Sequence, residues 1–136
     1  MNDIINFYKT FDRYSCFTDE VLFDENKDCF KYNHYKVFKD DKGIYGFVNW
    51  TFLNLENLNY FLKTGIVDQY NSGNIFVHLD FLASKNIKEI YKWSLSNITK
   101  HIGLNKQTQW LRLNKNNGIR NIVKKVVKES WYGSSI

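Results

Sequence analysis

The chain has 136 residues and a net charge of +5, with 43% hydrophobic and 18% aromatic residues. That length suits one domain with a real core, and the composition excludes a mainly disordered chain. No apolar run approaches the roughly 20 residues that span a bilayer; Cys16 and Cys29 are too few for a disulfide framework and form no CxxC or CxxH metal spacing. The charge is graded, from −4 over residues 1–28 through 0 over 29–84 to +9 over 85–136. A cationic third of that kind favours encounter with acidic partners, although solvated Lys-rich faces are its commonest origin. With no basic region leading into an apolar block at the start of the chain, and few cysteines, the expected setting is a reducing cytoplasm.

Residues 2–11 read as a short amphipathic helix with apolar positions Ile4, Ile5, Tyr8 and Phe11. Thr18-Asp19-Glu20 predicts a helix start running through Phe23. Residues 34–38 and 44–52 read as strands, and Asp40-Asp41-Lys42-Gly43 between them signals a hairpin. In the second strand Tyr45, Phe47, Asn49 and Thr51 share one face, with Ile44, Gly46, Val48 and Trp50 on the other. Residues 54–62 form a predicted helix closed by Gly65, and a strand follows within 72–83.

Asn86 with Glu89 resembles a capping box opening a helix to Ile102. Its apolar stripe would be Ile87, Ile90, Tyr91, Leu95, Ile98 and Ile102. Residues 109–113 return as a strand. Ile119, Ile122, Val123, Val126 and Val127 have helical spacing, while their β-branching leaves a strand open. There is no repeat, linker or low-complexity segment. The expectation is one α+β domain over residues 1–136, a mixed or antiparallel sheet flanked by helices.

The most informative stretch is Ser72-Gly73-Asn74-Ile75-Phe76-Val77-His78-Leu79-Asp80-Phe81-Leu82-Ala83, where an aspartate interrupts an apolar strand. Period-2 alternation predicts Phe76, His78, Asp80 and Leu82 on one face. A carboxylate there loses hydration, which costs several kcal/mol unless a partner or a wet cleft compensates. Desolvation also shifts carboxyl groups toward the protonation range of general acids and bases. The plainer alternative is a strand-end aspartate that solvates itself or caps a turn.

The order of elements and several short motifs resemble the RTX toxin-activating lysine acyltransferases. Tyr35, Asp40-Asp41 and Asn49-Trp50 match that family's Tyr-rich strand, Asp-containing turn and strand ending in Ser-Trp. Leu53-Asn54-Leu55-Glu56-Asn57 matches its Leu-Ser/Asn-Leu-Glu-Asn segment, and Tyr70-Asn71-Ser72-Gly73-Asn74 its Trp-x-Ser-Gly-Asp. Asp80-Phe81-Leu82-Ala83-Ser84 reflects Asp-Trp-Ile-Ala-Pro, and Arg112-Leu113-Asn114 echoes Arg-Val-Asp. The likeness runs colinearly over roughly residues 34–115, and no single motif in it is decisive.

What the resemblance implies is a GNAT-like fold and transfer of a fatty acyl group from acyl carrier protein to lysines of a protoxin. The family's catalytic pair is an N-terminal histidine and the aspartate that Asp80 matches. The histidine is absent here; ungapped counting from Tyr35 places Tyr14 on it and Phe17 on a family tryptophan. Ser84 stands where the family has proline. Homodimers are common in that family.

Transfer from a thioester needs a neutral amine, and an unperturbed lysine with pKa about 10.4 is protonated at neutral pH. Without the histidine, three candidates remain. Asp80 acts as base with Tyr14 as acid toward the leaving thiol; or His78, on the predicted face of Asp80, supplies an imidazole; or Cys16 forms an acyl-enzyme. Packing is the competing role for Tyr14, Cys16, Trp50 and Trp110. Arg112, Lys124, Lys125 and Lys128 are candidate contacts for an acidic partner, the lysines on one side of the possible C-terminal helix. Acyl carrier protein, or coenzyme A, would bring the acyl group as substrate, with no tightly held cofactor, no metal and no membrane span.

Two other functions compete. One is a degenerate relative that binds an acyl carrier or partner without transfer. The other, further behind, is a basic nucleic-acid-binding module with interleaved Trp and Tyr.

Overall fold

The Asp40–Gly43 hairpin forms as its residues predict. Lys42 N–H donates to Asp40 Oδ1 at 2.9 Å, and Gly43, at φ +120°, takes a backbone angle that side chains rarely adopt. The turn joins β1 (Tyr35–Asp40) to β2 (Gly43–Leu53), and β3 (Ile75–Ala83) completes an antiparallel sheet in the order β1-β2-β3. This computed structural model describes residues 2–103, 105–113, 120–128 and 130–131. The other elements are α1 (Asn2–Lys9), a 3-10 turn (Asp12–Tyr14), α2 (Asp19–Lys31), α3 (Leu55–Thr64), α4 (Ile87–Ile102), β4 (Gln107–Leu113) and β5 (Arg120–Val126). β4 and β5 form a separate antiparallel pair.

The three-stranded sheet is sandwiched. On one face Val48, Trp50 and Phe76 pack with Ile90 and Ile98 of α4. On the other, Phe47 and Leu82 pack with Ile4, Ile5, Phe7 and Tyr8 of α1 and Leu22 of α2. At one end, α3 places Leu58 and Phe61 against Leu53 and Val77. Thr18 caps α2 through a bond from Val21 N–H; Asn54 caps α3 through Asn57 N–H, and Gly65 ends it at φ +76°. The result is the single α+β domain expected, its sheets antiparallel throughout, an arrangement compatible with a GNAT-like fold.

Three local expectations are corrected, and one left open is decided. α2 runs to Lys31, well past Phe23, because Leu22, Asn26 and Cys29 supply an inward stripe. Asn86 makes no capping bond, since it sits in the left-handed region at φ 56°, and Glu89 instead accepts from Tyr45 Oη at 2.9 Å. The α4 stripe is rotated: Ile87 and Tyr91 are exposed, whereas Ser94, Asn97 and Thr99 are buried. Residues 120–126 are strand β5, so β-branching prevails over the helical spacing. Lys124 and Lys125 therefore fall on alternate faces of a strand, and Lys128 beyond its end, all three exposed. Asn114 and Ile119 lie outside the described residues.

Candidate functional site

The β2–β3 ladder slips by one residue in its middle. Trp50 pairs with His78 and Val48 with Phe81, so Asn49 alone faces both Leu79 and Asp80. This is a β-bulge, and it reverses the facing of everything after it. His78 stays on the α4 face, 6.0 Å from the Trp50 ring and 5.2 Å from Phe76. Asp80 and Leu82 turn to the α1 face, where Leu82 joins Phe47 and Tyr8. His78 and Asp80 thus stand on opposite faces of the sheet. The expectation that they share one is corrected, and His78 is not positioned to act with the carboxylate.

On its own face, among the described residues, Asp80 meets neutral side-chain donors. Tyr8 Oη donates to Oδ2 at 2.6 Å and Tyr14 Oη to Oδ1 at 3.0 Å. Asn49 Nδ2 adds a longer contact to Oδ2 at 3.4 Å. Tyr8 is buried, whereas Asp80 and Tyr14 are half-buried, so the Tyr14 side of the carboxylate is the side nearer solvent. The two rings meet edge to face, with centroids 5.0 Å apart. Among the described residues no cation pairs with Asp80. Burial, and then the Asp80 charge, holds both phenols well above their ordinary range. Both hydroxyls are therefore protonated donors at neutral pH.

A second layer of polar groups braces this one. Asn49 Nδ2 donates to Asn26 Oδ1 at 2.8 Å, and Asn26 Nδ2 donates to the Leu22 carbonyl at 3.0 Å. Burial and the Asp80 charge raise Glu25, and they push the Cys29 thiol up to about 12. The Tyr70 phenol is likewise raised by burial, with smaller contributions from Cys29 and Asp80. The loop carrying Tyr70 is pinned to the end of β2: Asn71 N–H donates to Thr51 Oγ1 at 2.9 Å, and Asn54 N–H to Ser72 Oγ at 3.1 Å.

The structure therefore joins two of the sequence candidates, Asp80 and Tyr14, and sets His78 apart from them. His78 lies behind the sheet, with Nε2 sealed from solvent and, among the described residues, without a hydrogen-bond partner. Burial lowers it to about 4. Cys16 is free and exposed, two residues beyond Tyr14. Arg112 belongs to β4, paired with Asn121; its side chain lies outside the described set.

Sequence reasoning missed Tyr8, Asn26 and Asn49. Tyr8 reads as an apolar helix position, but its hydroxyl makes the shortest bond to Asp80. Asn49 carried a usable signal, since an amide between Val48 and Trp50 is as anomalous as Asp80 in its own strand.

A shallow cleft of about 320 Å3 lies between α1 and α2, lined by Asn2, Ile5, Asp19, Glu20, Phe23 and Asp24, and does not include Asp80. In comparisons with known proteins, the chain matches no protein-family model and no curated protein sequence.

Proposed function

We propose that this protein is an acyltransferase that moves an acyl group from a carrier thioester to an amine, with Asp80 as base and Tyr14 as acid. The observation that carries this reading is the 3.0 Å bond from Tyr14 to a half-buried carboxylate that has no cationic partner among the described residues. The colinear resemblance of residues 34–115 to toxin-activating lysine acyltransferases supplies the substrate class, with acyl carrier protein as donor and a lysine of a protein or peptide as acceptor. The exposed Lys124, Lys125 and Lys128 suit an acidic carrier.

The acceptor first loses one proton from its ammonium to solvent. As the amine nitrogen bonds to the thioester carbon, its second proton passes to Asp80. When the carbon–sulfur bond breaks, Tyr14 gives its proton to the departing thiolate and is refilled from Asp80. The net result is one amide, one thiol and an unchanged enzyme. Burial and the Asp80 charge make Tyr14 a weak acid at rest; the proton that Asp80 takes from the amine cancels that charge, so Tyr14 becomes a better acid at the step in which sulfur leaves.

A second reading, binding without transfer, is favoured by one specific observation: both oxygens of Asp80 already accept tyrosine hydroxyls, as in a purely structural carboxylate. Intact-mass analysis decides between the two. The protein is incubated with loaded acyl carrier protein and a lysine-containing acceptor, beside Asp80→Asn and Tyr14→Phe. An acyl increment on the acceptor that Asp80→Asn abolishes supports transfer. An increment retained on the enzyme points to exposed Cys16, and no increment with a verified donor and acceptor supports binding alone.

A further inference from the structure

We infer that Asn49 is a positioning residue that holds the bulge in β3 and so decides which face of the sheet carries the Asp80 carboxylate. The alternative register is simple to state. Were the Trp50–His78 pairing continued without a bulge, Asp80 would stand opposite Val48, on the face lined by Phe38, Val48 and Ile90. There it would have apolar neighbours in place of Tyr8 and Tyr14. Phe81 would then stand opposite Phe47, in the cluster that Leu82 now occupies.

Apolar burial does not explain the choice between registers. The observed register leaves Phe81 37% exposed in order to bury the smaller Leu82, which is the reverse of what side-chain area favours. The compensation is polar. A bulged residue loses its ladder partner, and here the Asp80 N–H donates to Asn49 Oδ1 at 2.7 Å. The other end of the same amide donates to Asn26 Oδ1 at 2.8 Å, tying the arrangement to α2. One side chain must therefore accept from β3 and donate toward α2 at once, which an amide does and an apolar group of the same shape does not. The inference concerns where the carboxylate is held, so it is independent of whether Asp80 moves protons.

The test uses Asn49→Leu, which keeps the shape and removes both bonds. Expected results are loss of the nuclear Overhauser contacts between Asp80 and the Tyr8 and Tyr14 rings, and a phenol titration shifted to lower pH as in Asp80→Asn. Deleting Leu79 from that variant removes the extra residue, restores a regular ladder with Asp80 opposite residue 49, and should return the ring contacts. A folded Asn49→Leu chain that keeps those contacts overturns the inference, as does a folded double variant in which they stay lost. Should Asn49→Leu fail to fold, amide exchange in the unaltered protein decides. The Asp80 amide should exchange as slowly as the paired amides of β3, and free exchange overturns the inference.

Discussion

Tyr14 donates its hydroxyl to Asp80 across 3.0 Å, joining residues 66 positions apart in the chain. The contact ties the short turn after α1 to the middle of strand β3 and makes each group a reporter on the other. Asp80→Asn removes the negative charge while keeping the side-chain shape. Tyr8 and Tyr14 should then ionise at lower pH, closer to the ordinary phenol value of about 10, as read by ultraviolet titration against the unaltered protein. Tyr14→Phe leaves Asp80 in place and removes the acid. If transfer occurs as proposed, it should slow by roughly 10²- to 10⁴-fold, with acceptor binding unchanged.

Tyr8→Phe should act on stability more than Tyr14→Phe. Tyr8 is buried and makes the 2.6 Å bond to the carboxylate, whereas Tyr14 is half-exposed and water can replace its hydroxyl. Hydrogen bonds to charged groups contribute about 1.5–3 kcal/mol. Tyr8→Phe is expected near the upper part of that range in urea unfolding and Tyr14→Phe near or below its lower limit. Equal costs would mean that the two hydroxyls are equally replaceable.

Much of this arrangement was legible in the sequence, for identifiable reasons. The Asp40-Asp41-Lys42-Gly43 turn and the Asn54 and Gly65 caps are local chemistry, and local chemistry is written in neighbouring residues. Asp80 was visible because a charge inside an apolar strand breaks a pattern. The bulge was not visible: it depends on Asn49 bonding to a backbone amide 31 residues away, and strand alternation assumes that no such slip exists. Alternation alone puts His78 on the face of Asp80, and the bulge separates them. The α4 stripe was misplaced for a related reason, since Ser94 and Asn97 are buried by position against the sheet despite their polarity. In β5, the intervals among Ile122, Val123, Val126 and Val127 satisfy a helical spacing, and the pairing with β4 overrides it.

Gly73→Ala should damage the site from a distance. A Cβ at Gly73 would lie 2.5 Å from Asn54 N and 2.6 Å from Asn54 Cα, both backbone atoms at the capped start of α3. Backbone cannot move aside as a flexible side chain can, so a cost of about 3 kcal/mol is expected. The loop from Asn71 to Gly73 should detach from the end of β2, and Tyr70 should lose its burial and titrate at lower pH. Amide exchange at Asn71 and Asn54 reads the detachment directly; unchanged protection at both would show that the loop tolerates the methyl group.

Acid should destabilise the fold through the face that does not carry Asp80. His78 is held neutral among Trp50 and Phe76, with burial lowering it to about 4 from an ordinary 6.5. Its contribution is present in full above the unfolded-state value and is lost as pH falls through the folded one, because only the unfolded chain takes up the proton in that window. The loss approaches about 3 kcal/mol at most, from a shift of this size. His34, lowered by burial and by His101, acts with the same sign, whereas Glu25, raised by burial, opposes it. Urea midpoints should therefore fall between pH 6.5 and 4 in the unaltered protein, and fall less in His78→Leu. That substitution also removes the unpartnered Nε2, so its stability at pH 7 should match or exceed that of the original chain. Parallel pH dependence in the two proteins would place the titrating group elsewhere.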